Sequence, residues 1–480
     1  MIPFGQWLPD MPDLENPGVI IALNVVPTAG GYAPFQGPNT LTNALTARCQ
    51  GAATFRQVDG ESFSFAGDIN TLYGLDGTTW TDIGGKVFNV SPFDQWKFAQ
   101  FGTLVLAVNG VDKIQKIRAG TDVTFSEITA SPVSKYIAPV RDFVVVGPVT
   151  ISDEINVQWS ARNDVDSWTS GVNSSGAQPL FEGGPLQGLT GGEFGTILQE
   201  SAITRMTFVG GDLVFTFDLI ENARGCRVPG SIVQLGPNTY YWSEEGVEVF
   251  TGTAGINIGE GRVNHTILRD LDFNNLHLVT ATIDPERRLV IWAYPTNGDT
   301  VDRMLIYNVG QDQFSDIKLD TQVVLSSRSI GISIDDITGS IDASPLTGFP
   351  GVFSLDDPEL AGILRKLAAF NTSNVMATLD GDALAATLTD GERMLSPDTK
   401  KTHTRRVRAN VDDTHTVSVL RRQTQQASKT TVGPVAVQSD GSAPVKVNGR
   451  YQSIQVNMAA AGTWDFAQGY EIEEATRGGR

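Results

Sequence analysis

Leu72-Tyr73-Gly74-Leu75-Asp76-Gly77-Thr78-Thr79-Trp80-Thr81-Asp82-Ile83 and Leu305-Ile306-Tyr307-Asn308-Val309-Gly310-Gln311-Asp312-Gln313-Phe314-Ser315-Asp316-Ile317 share one plan. In each, a strand runs to a tyrosine, a polar turn follows, and the return strand carries an aromatic residue and then Asp-Ile. Hairpins of this kind make the outer strands of a propeller blade, because each blade is a twisted sheet whose apolar faces pack against its neighbours. Val157-Gln158-Trp159 through Trp168 reads as a third copy with a longer turn.

Outward from these hairpins, short apolar or alternating runs recur, such as Leu104–Val108, Phe143–Val146, Leu213–Phe217 and Leu289–Tyr294. Turn signals such as Asn109-Gly110 and Gly147-Pro148 close them, and the 50 Gly and 23 Pro are distributed, not clustered. The expected fold class is therefore all-β, a β-propeller-like core with an additional β-rich C-terminal region and few short helices. Residues 1–50 read as an extended segment that meets an adaptor or a neighbour, 51–320 as the propeller-like body, and 321–400 as an insertion with one helix. Asp357-Pro358-Glu359 would start that helix, an N-cap followed by proline at the first helical position, with Leu360, Ile363, Leu364 and Leu367 leading to Phe370 and Asn371. A shorter helix is expected after Asn264, with Ile267, Leu268 and Leu271 on one face. Residues 401–480 return to strands and complete the body or form a platform.

Charge divides the chain. The net charge is -19, yet residues 401–480 hold 11 Lys+Arg against 7 Asp+Glu, so the other 400 residues carry -23. An acidic body argues against a sequence-reading DNA binder, whose affinity comes from neutralising phosphates. It suits a wall past which a polyanion slides, as well as plain solubility. His403–Val411 and His415–Arg422 read as a hairpin about Asp412-Asp413 that crowds Arg405, Arg406, Arg408, Arg421 and Arg422. With no aromatic platform interleaved, these arginines are subunit-interface candidates in preference to nucleic-acid contacts.

No motif assembles a reactive centre. Gly84-Gly85-Lys86 is followed by Val87 where a P-loop places the hydroxyl that meets magnesium. Asp76-Gly77-Thr78-Thr79-Trp80 departs from the Asp-box pattern in its glycine spacing and in Gly74 at the serine position. His265, His277, His403 and His415 have no metal-ligand spacing, and Cys49 and Cys226 lie far apart as small buried hydrophobes. Carboxylate pairs such as Asp153-Glu154, Glu244-Glu245 and Asp335-Asp336 are adjacent in sequence and point to opposite faces in a strand. The glycine-rich run Gly171–Gly195, with no lysine and no strand-to-helix frame, reads as a protruding loop. No run approaches the ~18 apolar residues of a membrane helix, and Met1–Asp10 lacks the pattern of a signal peptide. The expectation is a chain that is not an enzyme, with no cofactor, no metal and no small-molecule substrate.

Three groups of residues together resemble a known family. The central group is Gln158-Trp159-Ser160-Ala161-Arg162-Asn163-Asp164, Asp166-Ser167-Trp168, Glu182-Gly183-Gly184-Pro185-Leu186, Gly191-Gly192-Glu193-Phe194-Gly195, Arg224-Gly225-Cys226, Tyr240-Tyr241-Trp242-Ser243-Glu244-Glu245-Gly246 and Ala281–Pro295. The opening group runs from Trp7-Leu8-Pro9-Asp10 to Tyr32-Ala33-Pro34-Phe35, and the closing group from Gly449-Arg450-Tyr451 to Ile472. The series is similar to the tail nozzle, or tail hub, proteins of short-tailed bacteriophages, with Trp159, Trp168, Trp242 and Trp292 as core positions of the likeness. The resemblance implies a homohexameric ring in the virion tail, made in the host bacterial cytoplasm. Its partners would be the portal and adaptor rings, tail fibre or tail needle proteins, and double-stranded DNA that passes without sequence-specific contact. It implies no catalytic residues. The channel gate would be the 321–400 insertion or the glycine run, with Gly183, Gly184, Gly191 and Gly192 as gate-loop candidates. The alternatives are a host-recognition or glycan-binding tail protein, with or without hydrolase activity, and a cellular propeller scaffold.

Overall fold

The computed structural model describes residues 1–58, 60–149, 153–328, 364–396 and 401–475. Among the described residues, seven four-stranded antiparallel blades follow one another round a ring, six as separate sheets and one as part of a larger sheet. Blades 1 to 6 span residues 51–82, 97–127, 136–179, 186–222, 233–257 and 280–321. Blade 7 is built from Val323–Arg328, Arg365–Phe370 and Val375–Thr378, and its fourth strand is Asn39–Ala44, from before blade 1. The innermost strands of blades 1, 7 and 6 lie side by side, which closes the circle. Strands buried on both faces are what such packing demands. Phe143–Gly147 is an example, a β-branched run with every residue buried.

The hairpins that suggested a propeller are outer strands of blades 1 and 6, with Asp76 opposite Thr79 and Asn308 opposite Gln313. In blade 3 the strand ending at Trp159 pairs with Gly176–Pro179, so the return strand lies beyond Trp168, which sits in the connection. The helix after Asn264 forms over Asn264–Asp270.

A β-sandwich stands against blade 6, and both ends of the chain build it. One sheet continues blade 6 outward through Val19–Leu23, Ala386–Asp390, Tyr451–Met458, His415–Arg422 and Thr430–Ala436, making nine strands in all. The other orders Val25–Thr28, Gly31–Pro34, Ala467–Ala475, Thr402–Val411 and Val447–Gly449, with Ile2–Pro3 also on Ala467–Ala475. Tyr32, Val407, Val417, Val419, Ile454, Val456 and Tyr470 are buried in the same core. Residues 1–50 are thus strands of the sandwich and of blade 7, not an extended arm. The described part of 321–400 supplies three strands of blade 7 and one of the sandwich. Arg365–Phe370 is a strand, where the apolar spacing had predicted helix, because it pairs along its length with Val323–Arg328. The start of that expected helix at Asp357 and the pair Asp335-Asp336 lie outside the described residues.

Asn24 locks the sandwich to blade 6. Its φ of 57° turns the chain between two strands that belong to opposite sheets. Its backbone N–H donates to the Asp316 carbonyl at 2.7 Å. Its side-chain oxygen accepts from the Lys318 N–H at 2.8 Å, and its side-chain amide donates to the Ala385 carbonyl at 2.7 Å. Asparagine tolerates this left-handed backbone better than most residues and satisfies a backbone donor on one side and a backbone acceptor on the other. Asn24→Ala removes two buried hydrogen bonds and adds backbone strain, an expected loss of about 2–4 kcal/mol. The check is chemical denaturation with tryptophan fluorescence, where the variant should unfold at a lower denaturant concentration than the parent.

Candidate functional site

The four tryptophans of the family likeness are packing residues. Trp159 meets the rings of Phe215 and Phe217 in the core of blades 3 and 4, and Trp168 belongs to the core of blades 2 and 3. Trp242 and Trp292 lie 6.0 Å apart in the core that blades 5 and 6 share with the sandwich. The indole N–H of Trp292 donates to the Ser231 carbonyl, so a blade 6 side chain fastens the entry to blade 5. Burial pushes the thiols of Cys49 and Cys226 up to about 12, which makes them poor nucleophiles.

The glycine run is not one loop. Gly176–Pro179 closes blade 3, Leu186–Thr190 opens blade 4, and the four gate candidates fall at opposite ends of the latter strand. The Gly183 carbonyl accepts from Ser201 N–H, and a side chain at Gly183 would collide with Ala202. At the other end, Gly192 exchanges backbone hydrogen bonds with Pro139 and Arg141, while a Cβ at Gly191 would lie 2.0 Å from the Pro139 carbonyl oxygen. Gly191 and Gly192 allow the close approach of blade 4 to blade 3, while Gly183 packs against the turn between the second and third strands of blade 4.

The expected arginine hairpin is also replaced. Thr402–Val411 and His415–Arg422 belong to opposite sheets of the sandwich. Asp412 and Asp413 shape a corner between layers by accepting from the backbone of Asp465, Phe466 and Thr463. Arg405, Arg406 and Arg408 are therefore on one sheet, and Arg421 and Arg422 on the other. Arg406 lies opposite Glu473 and pairs with Asp440 at 3.3 Å, and Arg408 lies opposite Glu471. Arg421 donates to the Asn448 carbonyl. Arg422 grips Glu392, whose side chain is 0% exposed, through both carboxylate oxygens. Of the five, Arg405 and Arg408 are exposed with no side-chain hydrogen bond or ion pair among the described residues.

A recess lies at the centre of the ring, where connections from one blade enter the innermost strand of the next. It has a volume of about 340 Å³. Asp94, Lys97, Lys135, Tyr136, Gln187 and His277 are among the residues that line it. Asp94 pairs with Lys135 at 3.0 Å, and His277 packs edge-on against Phe93. Burial lowers the His277 imidazole below its ordinary value, and Arg48 adds to the shift. Burial also lowers the Lys97 ammonium to about 8. Sequence reading missed this recess because its residues come from blades 2 to 4 and from the connections before blades 5 and 6, and form no motif. Asp94, Lys97, Lys135, Tyr136, Gln187 and His277 share only a position at or near the start of an inner strand. Among the described residues no cluster of His, Cys, Asp or Glu could hold a metal ion, and no helix is long and apolar enough to cross a membrane.

No protein-family model matches the chain, and no curated protein matches it. Solved structures do. The WD40 domain of Pan2 from Neurospora crassa matches at 7% identity and a TM-score of 0.41, over 72% of this chain and 95% of that one. A chain of the mitotic checkpoint complex matches at 7% and 0.39, over 74% and 95%. The extracellular domain of a two-component system from B. thetaiotaomicron matches at 9% and 0.43, over 78% and 43%. The chain is a β-propeller by its own strand order.

The local pairing of the arginines separates structural from exposed positions. Arg422→Ala leaves a fully buried Glu392 without its partner and should cost about 3–5 kcal/mol. Arg405→Ala should stay within about 0.5 kcal/mol. Thermal unfolding of the two variants beside the parent decides this.

Proposed function

We propose that this chain is the ring-forming tail nozzle of a short-tailed bacteriophage, a structural conduit that retains packaged DNA and lets it pass at ejection. The observation that carries the proposal is how the opening and closing segments of the family likeness meet. They are far apart in sequence, yet Tyr32 pairs with Ala467. Trp7 and Tyr32 of the opening group are buried in the same core as Trp464 and Tyr470 of the closing group. The central segment of the likeness fills blades 3 to 6. The resemblance thus follows one integrated body and not three unrelated fragments.

In this proposal the passage forms between copies arranged around an axis. The excess of acid over the first 400 residues suits a wall that does not hold phosphate.

The test is made on virions. Phage particles assembled without this chain should package DNA and then lose it, so that their genome becomes sensitive to added nuclease. Particles that keep their genome but fail to bind or degrade host surface glycan would instead establish the host-recognition role.

A further inference from the structure

The central recess holds three hydrogen-bond donors with no protein partner among the described residues. Lys97 at the start of blade 2, Tyr136 at the start of blade 3 and Gln187 at the start of blade 4 all line it. None of the three side chains makes a hydrogen bond or ion pair among the described residues. The surrounding charges are otherwise accounted for. Asp94 is paired with Lys135, Arg227 is paired with Glu244, and Glu154 is exposed at the rim, where water screens it. Burial disfavours the charged form of His277. Lys97 is left without an acid in ion-pair reach, in a recess where partial burial weighs against its charge. Pro148, Pro185 and Leu276 supply apolar walls, the usual lining of a small-ligand site of this size.

We propose that this recess binds a small oxyanion, a carboxylate or a phosphate monoester, whose charged end takes hydrogen bonds from Lys97, Tyr136 and Gln187. The site is independent of the conduit function, since it lies inside one subunit. Binding would tie blades 2, 3 and 4 together at the centre of the ring and draw the Lys97 ammonium back toward its ordinary titration range.

The test follows acetylation of Lys97 by mass spectrometry near pH 8, where about half of its amine is free. Exposed Lys446 serves as the internal reference. The parent protein is labelled with and without millimolar inorganic phosphate or citrate, with ionic strength held constant by sodium chloride. Either anion should slow Lys97 about tenfold at ten times its dissociation constant and leave Lys446 unchanged. Protection by phosphate alone or by citrate alone fixes the anion class. The matching thermal stabilisation should vanish in Lys97→Met. Equal Lys97 labelling with and without both anions overturns the proposal, whatever the variant does.

Discussion

A ring of sheets is stable only when its two ends meet, and here one strand from near the chain's start makes that closure. Asn39–Ala44 completes blade 7, pairing with Val375–Thr378, and it also holds blade 1. The Asn43 side chain accepts from the backbone N–H of Trp80, and the Thr42 hydroxyl accepts from its indole N–H. Trp80 packs on Phe370 across the same seam. Closure removes the free sheet edges that an open array would expose. It also delivers the first 38 residues beside residues 379–475, so both ends of the chain can form one sandwich. The propeller is in effect an insertion in that sandwich, and Asn24 is the hinge pin between them.

The parts of this architecture that were legible in the sequence are local. Asp76-Gly77 and Asn308 through Gly310 are turn chemistry in a two-residue alternation, and each gives a hairpin without help from distant residues. Asn264–Asp270 is likewise set by its own apolar face. What was not legible depends on partners remote in sequence. Residues 364–371 carry apolar positions that suit a helix, yet edge pairing with Val323–Arg328 overrides that spacing. Asp412-Asp413 looks like a hairpin turn, and the same carboxylates serve equally well as a corner between layers. The glycines from 171 to 195 look like a loop because glycine marks both mobile turns and tight contacts between blades. The pairing of Ile2–Pro3 with Ala467–Ala475 spans nearly the whole chain, and no local signal encodes it.

The same distinction governs the candidate sites. Five arginines close in sequence suggested one basic face. The fold distributes them over two sheets and gives most of them acids or carbonyls of the same subunit. A ring interface of the kind proposed would therefore not use the arginine set as a whole. The tryptophans that carry the family likeness are buried, so the likeness records how blades pack and transmits function only through the shape they hold.

The central claim is that copies of this chain surround a passage wide enough for duplex DNA. Electron cryo-microscopy of the purified chain, alone and on phage particles, tests it most directly. The account predicts a six-fold ring at the neck with an acidic axial bore between subunits and the propellers set around it. A monomer or trimer with a glycan-binding cleft, or a ring whose bore excludes a duplex, would contradict it.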